Sequence, residues 1–214
     1  MKKIILFDLD GTLIDSTEAI LESFHHSLRT HGKKGEVDDT MITTQIGHPL
    51  EVMFGAVGVE SEQIESHVST YKLYYRQIAC QKTVLLPEAE DAVREAAEFA
   101  RLGIVTTKTG LYSRELMDYF SLMDYFEVLV GREHVQNPKP HPEPIWTALK
   151  QMEGEKCQAW MIGDTCLDIE AANRAGIESV AVSCGYDNEE QLLTLTNIIR
   201  PNALEAVRFI AKRG

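Results

Sequence analysis

Two aspartates separated by one residue follow a short apolar run near the start of the sequence. Residues 4–7, IILF, lead directly into Asp8, Leu9, Asp10 and Gly11. Near-extended residues two positions apart point to the same side, so both carboxylates can face one pocket. Acids this close raise each other's pKa unless a cation lies between them. The stretch therefore predicts a site that holds positive charge.

Two further acids suggest what that charge is. Asp164 ends the apolar stretch AWMIGD, residues 159–164, and Asp168 follows one helical turn later. Hard oxygen ligands without a cysteine or a clustered histidine suit Mg²⁺. We therefore expect Asp8, Asp10, Asp164 and Asp168 to hold Mg²⁺, although Asp164 or Asp168 alone is as typical of a cap or a turn.

The spacing of the first pair suggests phosphoryl chemistry. Asp8 can be a nucleophile that forms an aspartyl-phosphate, which water then hydrolyses. Asp10 can protonate the leaving oxygen and then activate the water. Gly11 allows a tight turn that aims backbone amides at a phosphate. The hydroxyl of Thr106 and the ammonium of Lys139, on a proline-stiffened loop, are expected to bind the phosphate and offset the acids.

Composition limits the possible partners. The 214 residues are 44% apolar and carry a net charge of −12, with an isoelectric point near 5.0. An acidic surface argues against nucleic-acid binding, which needs a basic footprint. It also repels anions at long range, so a phosphate site must be locally positive.

The sequence shows the features of a cytoplasmic protein. Its four cysteines form no CxxC pair, and we interpret them as reduced thiols. The N-terminal apolar run is too short for a signal peptide, and no run approaches a membrane span of about 20 apolar residues. We expect no membrane association, and a monomer or homodimer.

Strands and helices alternate over most of the chain. Residues 4–7, 102–107, 125–131, 159–164 and 179–185 read as strands with helices between them. This alternation predicts a parallel sheet with helices on both faces, an α/β Rossmann-like core. Ligands of such sheets bind at the carboxyl ends of the strands, where Asp8, Thr106 and Asp164 fall.

A helical segment interrupts this core. Residues 15–80 show helical spacing of apolar residues and no strand signal. We therefore predict a core of residues 1–14 and 83–214, and an inserted helical cap of residues 15–82. Asp15 and Ser16 then lie at the hinge, where helix N-capping is the expected role. Tyr71 and Tyr75 are expected to pack within the cap.

These motifs resemble the haloacid dehalogenase-like hydrolase superfamily. FDLDGTLIDS, IVTTK, NPKPHPEP and MIGDTCLDIEAANRAG occur in that family's order and spacing over nearly the whole chain. The helical insert after the first motif resembles the phosphoglycolate phosphatase-like branch. The dehalogenases of the superfamily lack the second acid of the first motif, so Asp10 favours phosphoryl transfer.

The resemblance implies a role for each matching residue. Asp8 would be the nucleophile and a Mg²⁺ ligand, and Asp10 the acid/base, with its backbone carbonyl on the metal. Asp164 would be the second protein ligand and Asp168 a supporting acid. Thr106 and Lys139 would hold the phosphate.

The resemblance also implies a cap that closes over the site and contributes substrate contacts. Candidates for substrate contact are Gly11, Thr107, Lys108 and, in the cap break QIGHP, His48. Relatives often have Asn before the lysine where this chain has Thr107, and a threonine is shorter.

The leading hypothesis is a Mg²⁺-dependent phosphatase acting on a small phosphorylated metabolite, through an aspartyl-phosphate. A sugar phosphomutase resembling β-phosphoglucomutase, an inorganic pyrophosphatase and a non-catalytic binding module are the alternatives. The nearest basic residues of the cap are Lys33, Lys34, Lys72 and Arg76. If none reaches the site, a neutral leaving group such as a sugar alcohol is favoured over phosphoglycolate.

Overall fold

The fold is taken from a computed structural model that describes residues 2–33 and 37–213. The strands of this part of the chain are β1 (Lys3–Phe7), β2 (Ile14–Asp15), β3 (Val84–Leu85), β4 (Ala100–Val105), β5 (Phe126–Val130), β6 (Ala159–Gly163), β7 (Glu178–Val182) and β8 (Ile199–Arg200). The helices are α1 (Thr17–Thr30), α2 (Asp39–Thr43), α3 (Leu50–Ala56), α4 (Ile64–Lys82), α5 (Ala89–Phe99), α6 (Gly110–Tyr119), α7 (Glu143–Gln151), α8 (Cys166–Ala175), α9 (Glu189–Leu193) and α10 (Ala203–Ala211).

A parallel sheet with the strand order β5-β4-β1-β6-β7-β8 forms the core. The central strand β1 pairs with β4 on one side and β6 on the other, so that Phe7 lies opposite both Ile104 and Ile162. Side chains along β1 alternate between the two faces of the sheet. Ile5 packs into one apolar cluster and Ile4 into another. The predicted α/β Rossmann-like fold is confirmed.

Helices cover both faces of this sheet. α5 and α10 pack together on one face, and α7 and α8 pack together on the other. Parallel strands joined by helical crossovers need cover on both sides, which explains why β1 is apolar and buried from Ile4 to Phe7. The crossovers also leave the carboxyl ends of the strands free to carry polar side chains.

The interrupting segment consists of α1 to α4. Phe24 of α1 packs against Phe54 of α3 and Tyr71 of α4, with ring centroids 4.3 and 5.1 Å away. The chain enters and leaves this segment through a two-stranded antiparallel ribbon, in which Ile14 of β2 lies opposite Leu85 of β3. The division into a cap of residues 15–82 and a core stays a prediction.

The structure shifts some predicted elements. The strand expected over 102–107 spans Ala100–Val105, so Thr106 and Thr107 lie beyond its end. The short strand β8, paired with the end of β7, was not predicted. In the described part of the chain we find no helix with the length and apolar character needed to cross a bilayer.

Candidate active site

The carboxyl ends of neighbouring strands bring the predicted residues together. Asp8 follows β1, Thr106 follows β4, and Asp164 follows β6. Lys139 reaches the same place from the loop between β5 and α7, and Asp168 from the first turn of α8. All five residues are buried. These distant parts of the sequence therefore form one site, as the strand-end argument predicted.

Lys139 is the central cation of the site. Its Nζ lies 3.0 Å from Oδ1 of Asp8 and donates to Oδ1 of Asp168 at 2.5 Å and to the carbonyl of Val105 at 3.2 Å. Two hydrogen bonds and the ion-pair contact with Asp8 surround this ammonium, so Lys139 holds the acids in place. Its predicted contact with phosphate stays a prediction.

Asp164 and Asp168 are held by hydrogen bonds from their surroundings. Asp164 accepts from the hydroxyl of Thr12 at 2.8 Å and from the backbone N–H of Tyr186 at 2.9 Å. Asp168 accepts at Oδ2 from the backbone N–H and the hydroxyl of Thr165, at 3.1 and 2.7 Å. Both carboxylates are thus fixed at the rim of the sheet.

The acids and the lysine perturb one another. Burial raises the pKa of Asp8 to about 7, although Lys139 opposes that shift. Burial, together with Asp168 and Asp8, raises the pKa of Asp164 well above its ordinary value. Burial lowers the pKa of Lys139, but Asp168 and Asp8 outweigh it and raise that pKa. The site therefore has more negative charge than one lysine can balance.

Asp10 faces a different set of partners. Its Oδ2 lies 3.1 Å from Nζ of Lys108, and its Oδ1 accepts from the hydroxyl of Ser16. Ser16 lies at the N-cap position of α1, as expected, but its hydroxyl donates to Asp10 and makes no cap hydrogen bond. Asp15 does accept from the N–H of Thr17, at 2.9 Å.

Gly11 makes a tight turn, as the sequence predicts, but its own amide is already engaged. Its N–H donates to the carbonyl of Ile14 at 2.8 Å, so this amide is not free to bind a phosphate. Its φ is +79°, and a β-carbon there would lie 2.2 Å from Oδ2 of Asp164 and 2.8 Å from the ring of Tyr186. Gly11 is therefore needed for the turn and for the close approach of Asp164.

The remaining predicted contacts surround a cavity between the interrupting helices and the core. Thr107, Lys108 and His48 line it, together with Asp10. The hydroxyl of Thr107 donates to the carbonyl of Gly47 at 2.8 Å and so joins the core to the QIGHP break. Thr106 accepts at its hydroxyl from the N–H of Lys108 at 3.2 Å. The predicted binding of substrate by Thr107, Lys108 and His48 stays a prediction.

Tyr75 has a role that packing alone does not describe. Its hydroxyl accepts from Nζ of Lys108 at 2.9 Å, and that Nζ lies 4.5 Å from the centre of its ring. Burial lowers the pKa of Lys108, but Asp10 and Tyr75 raise it above its ordinary value. Tyr75 and Tyr71 are buried as predicted, yet both also line the cavity.

Sequence reasoning missed three residues of this region and named a fourth, Lys72, without placing it. Thr12 and Tyr186 support Asp164, while Lys72 and Arg132 line the cavity. Arg132 lies two residues after the end of β5. The rule that ligands bind at the carboxyl ends of parallel strands could therefore have identified it. Lys72 was considered only as one of several basic residues of the cap. Tyr186 acts through its backbone, which leaves no signal in a side-chain motif.

Comparison with known proteins identifies the family of this chain. The family described as "Haloacid dehalogenase-like hydrolase" matches residues 5–182. A phosphoglycolate phosphatase of Colwellia psychrerythraea is 31% identical over 89% of this chain and 88% of its own length. Pyrophosphatase PpaX of Bacillus pumilus is 34% identical over 88% of this chain and 86% of its own length. A haloacid dehalogenase-like family hydrolase of Streptococcus pneumoniae has a solved structure that is 29% identical and superposes with a TM-score of 0.86, covering 97% of this chain and 98% of its own.

The chain belongs to the haloacid dehalogenase-like hydrolase family, in its phosphoglycolate phosphatase-like branch. It is an enzyme of the phosphatase class. The resemblance first seen in the motifs is thereby confirmed.

Proposed function

We propose that the protein is a Mg²⁺-dependent phosphatase that hydrolyses small phosphomonoesters through an aspartyl-phosphate on Asp8. The pairing of Asp8 with Lys139 carries this proposal, because it holds a carboxylate in place at the end of the central strand. Oδ1 of Asp8 is buried and has no hydrogen-bond partner of normal geometry among the described residues. A carboxylate with unused lone pairs is suited to attack.

The donor set fits a divalent cation. One oxygen each from Asp8, Asp164 and Asp168 can be chosen so that all lie within 4.8 Å of one another. Lys139 is the cation that lies beside Asp8 and Asp168, and it offsets one of the three negative charges. About two negative charges therefore remain when all three acids are ionised. Oxygen-only ligands of this charge favour Mg²⁺. Asp10 would add its backbone carbonyl, and when bound the ion would offset the charge of the acids and of the phosphoryl oxygens.

Two proton transfers complete the proposed reaction. Asp8 attacks phosphorus, the bond from phosphorus to the ester oxygen breaks, and Asp10 gives that oxygen a proton. Asp10 then takes a proton from water as the water attacks phosphorus of the aspartyl-phosphate. The bond to Asp8 breaks, which releases phosphate and restores both acids. The hydroxyl of Thr106 is proposed to donate a hydrogen bond to the phosphoryl group.

The cavity suggests where the leaving group lies. Asp10 lines it, so the leaving group would lie there and receive its proton. Pyrophosphate is a second candidate, because similar proteins include a pyrophosphatase. The four free cysteines support the proposal of a cytoplasmic enzyme.

Phosphate release from a panel of phosphate esters and pyrophosphate tests this function. We expect turnover with Mg²⁺, loss of turnover with chelator, and loss in Asp8→Asn. Asp91→Asn is the matched control, because Asp91 is an exposed acid of α5. Release that survives in Asp8→Asn would contradict the proposal. A phosphorylated Asp8 that accumulates and hydrolyses slowly would instead indicate a phosphomutase.

A further inference from the structure

The cavity between the interrupting helices and the core contains basic residues that the chemistry at Asp8 does not use. Lys72 of α4 and Arg132, just after β5, both line it. Asp10 lines the same cavity, and in the proposed function it protonates the leaving group. In the proposed function, residues that line this cavity therefore face the leaving group and not the transferred phosphate.

Arg132 has donor capacity that the protein leaves unused. Its Nη1 donates to the carbonyl of Val135 at 3.1 Å. Its Nε is buried and has no hydrogen-bond partner within the described ranges, 2–33 and 37–213. A buried donor without a partner is costly and rare in native proteins. Nη2 of the same guanidinium also makes no hydrogen bond to a described residue and is not buried, so it is the donor that an acceptor on a bound ligand can reach.

Arg132 also differs from the arginines that form ion pairs on the surface. Five arginines form ion pairs with glutamates, namely Arg76, Arg94, Arg101, Arg174 and Arg208. Neither Arg132 nor Lys72 has a carboxylate within 4.0 Å in the part of the chain that is described. In a chain of net charge −12, two such cations on one cavity mark a local site for an anion.

The other charges of the cavity do not remove this excess. Lys108 is already paired with Asp10 at 3.1 Å. Glu51 lines the cavity but is exposed to solvent, where its charge is screened. Lys72 and Arg132 are therefore the cations left to act on a ligand. Their guanidinium and ammonium groups suit a carboxylate or a second phosphate.

We propose that Arg132, assisted by Lys72, is a specificity-determining residue that binds an anionic group on the leaving group of the substrate. This inference rests on the proposed phosphatase function and narrows its substrate class to phosphate compounds with a second anion. It also answers the question left by the sequence, because Lys72 does reach the cavity. A neutral leaving group such as a sugar alcohol is then disfavoured.

Matched substrates test the proposal. In the first pair, 2-phosphoglycolate carries a carboxylate where 2-hydroxyethyl phosphate carries a neutral alcohol. In the second pair, pyrophosphate carries a second phosphate where methyl phosphate carries a methyl group. We expect the wild-type enzyme to favour the anionic member of at least one pair in kcat/KM by tenfold or more. That preference should fall about tenfold or more in Arg132→Gln and by a smaller factor in Lys72→Gln, as expected for loss of a charge-assisted hydrogen bond. The pair that shows the preference identifies the anion.

A control variant and a binding measurement separate this inference from the proposed function. Arg114→Gln removes an exposed arginine of α6 and should leave the preference unchanged. Calorimetry with phosphonoacetate and with ethylphosphonate measures the same preference without turnover, and Arg132→Gln should reduce it. An equal affinity of wild type for both phosphonates, or a preference that survives in Arg132→Gln, would overturn the anion site. Absence of turnover with a retained binding preference would instead contradict the proposed function alone.

Discussion

Nζ of Lys139 lies 3.0 Å from Oδ1 of Asp8, and this buried pair sits at the carboxyl end of the central strand of the sheet. The same ammonium lies 2.5 Å from Asp168. Removing either member of such a pair leaves an uncompensated charge in the interior. The lysine therefore supports both the folded state and the position of the candidate nucleophile.

Lys139→Gln should destabilise the metal-free protein. At pH 8 we expect its free energy of unfolding to fall by about 3–5 kcal/mol, because Asp8 and Asp168 lose their cation while staying buried. Urea denaturation in the presence of chelator measures the change. Lys150→Gln, at an exposed position near the end of α7, should change stability by less than about 0.5 kcal/mol. Equal stability of the two variants would contradict the assigned role of Lys139.

The stability of the metal-free protein should decrease with pH through the titration of Asp8. Burial raises the pKa of this acid from 3.8 to about 7, so between these values the folded state binds more protons than the unfolded state. The contribution of Asp8 to the free energy of unfolding is therefore fully present below about pH 4 and is lost as the pH rises to about 7. The free energy of unfolding falls by at most about 1.4 kcal/mol per pH unit over this range.

Asp8→Asn isolates this contribution. The variant should show a smaller loss of stability between pH 4 and pH 7 than wild type, measured by urea denaturation with chelator present. Mg²⁺ should also raise the melting temperature of wild type more at pH 8 than at pH 5, because protons compete with the ion for the same carboxylates. A shift that is the same at both pH values would argue against this competition.

Gly11→Ala should disrupt the site through Asp164. The new β-carbon would lie 2.2 Å from Oδ2 of Asp164, at a φ of +79°. Gly32→Ala is a matched control, because Gly32 has a φ of +65° and a β-carbon there would have no described atom within 4 Å. The control should lose only about 1–2 kcal/mol of stability, the cost of the backbone conformation. We expect Gly11→Ala to lose more stability and to weaken Mg²⁺ binding, and similar losses in both variants would contradict the contact.

Lys108→Met should impair catalysis by removing the cation beside Asp10. The two side chains are 3.1 Å apart, and a hydrogen bond to a charged group contributes about 1.5–3 kcal/mol. We expect kcat to fall by about tenfold or more. Tyr75→Phe removes only the hydroxyl that accepts from Lys108 and should have a smaller effect. Steady-state kinetics of both variants on one substrate decide the matter, and an unchanged kcat in Lys108→Met would refute this role.

The core of the site could be predicted because its signals lie in the local sequence. Asp8, Thr106 and Asp164 each follow an apolar run, and parallel strands place such residues at one edge of the sheet. The α/β fold follows from the same alternation. The exact ends of strands were less predictable, and β8, a two-residue strand, gives almost no pattern.

The cavity could not be predicted because it depends on how distant segments meet. Lys72 lies on α4 and Arg132 follows β5, and no spacing in the sequence relates them. Ser16 looked like a helix cap because its residue type favours that role. Its hydroxyl instead bonds Asp10, a partner that became available only when the chain turned at Gly11.

The most direct test of the account is chemical trapping of phosphorylated Asp8 during turnover. Borohydride reduces an acyl phosphate to an alcohol, so treatment of the working enzyme followed by peptide mass spectrometry identifies the modified residue. We predict reduction at Asp8 when Mg²⁺ and substrate are present, and none at Asp8 with chelator. Reduction at another residue, or continued turnover with Asp8 unmodified, would contradict the assignment of Asp8 as the nucleophile.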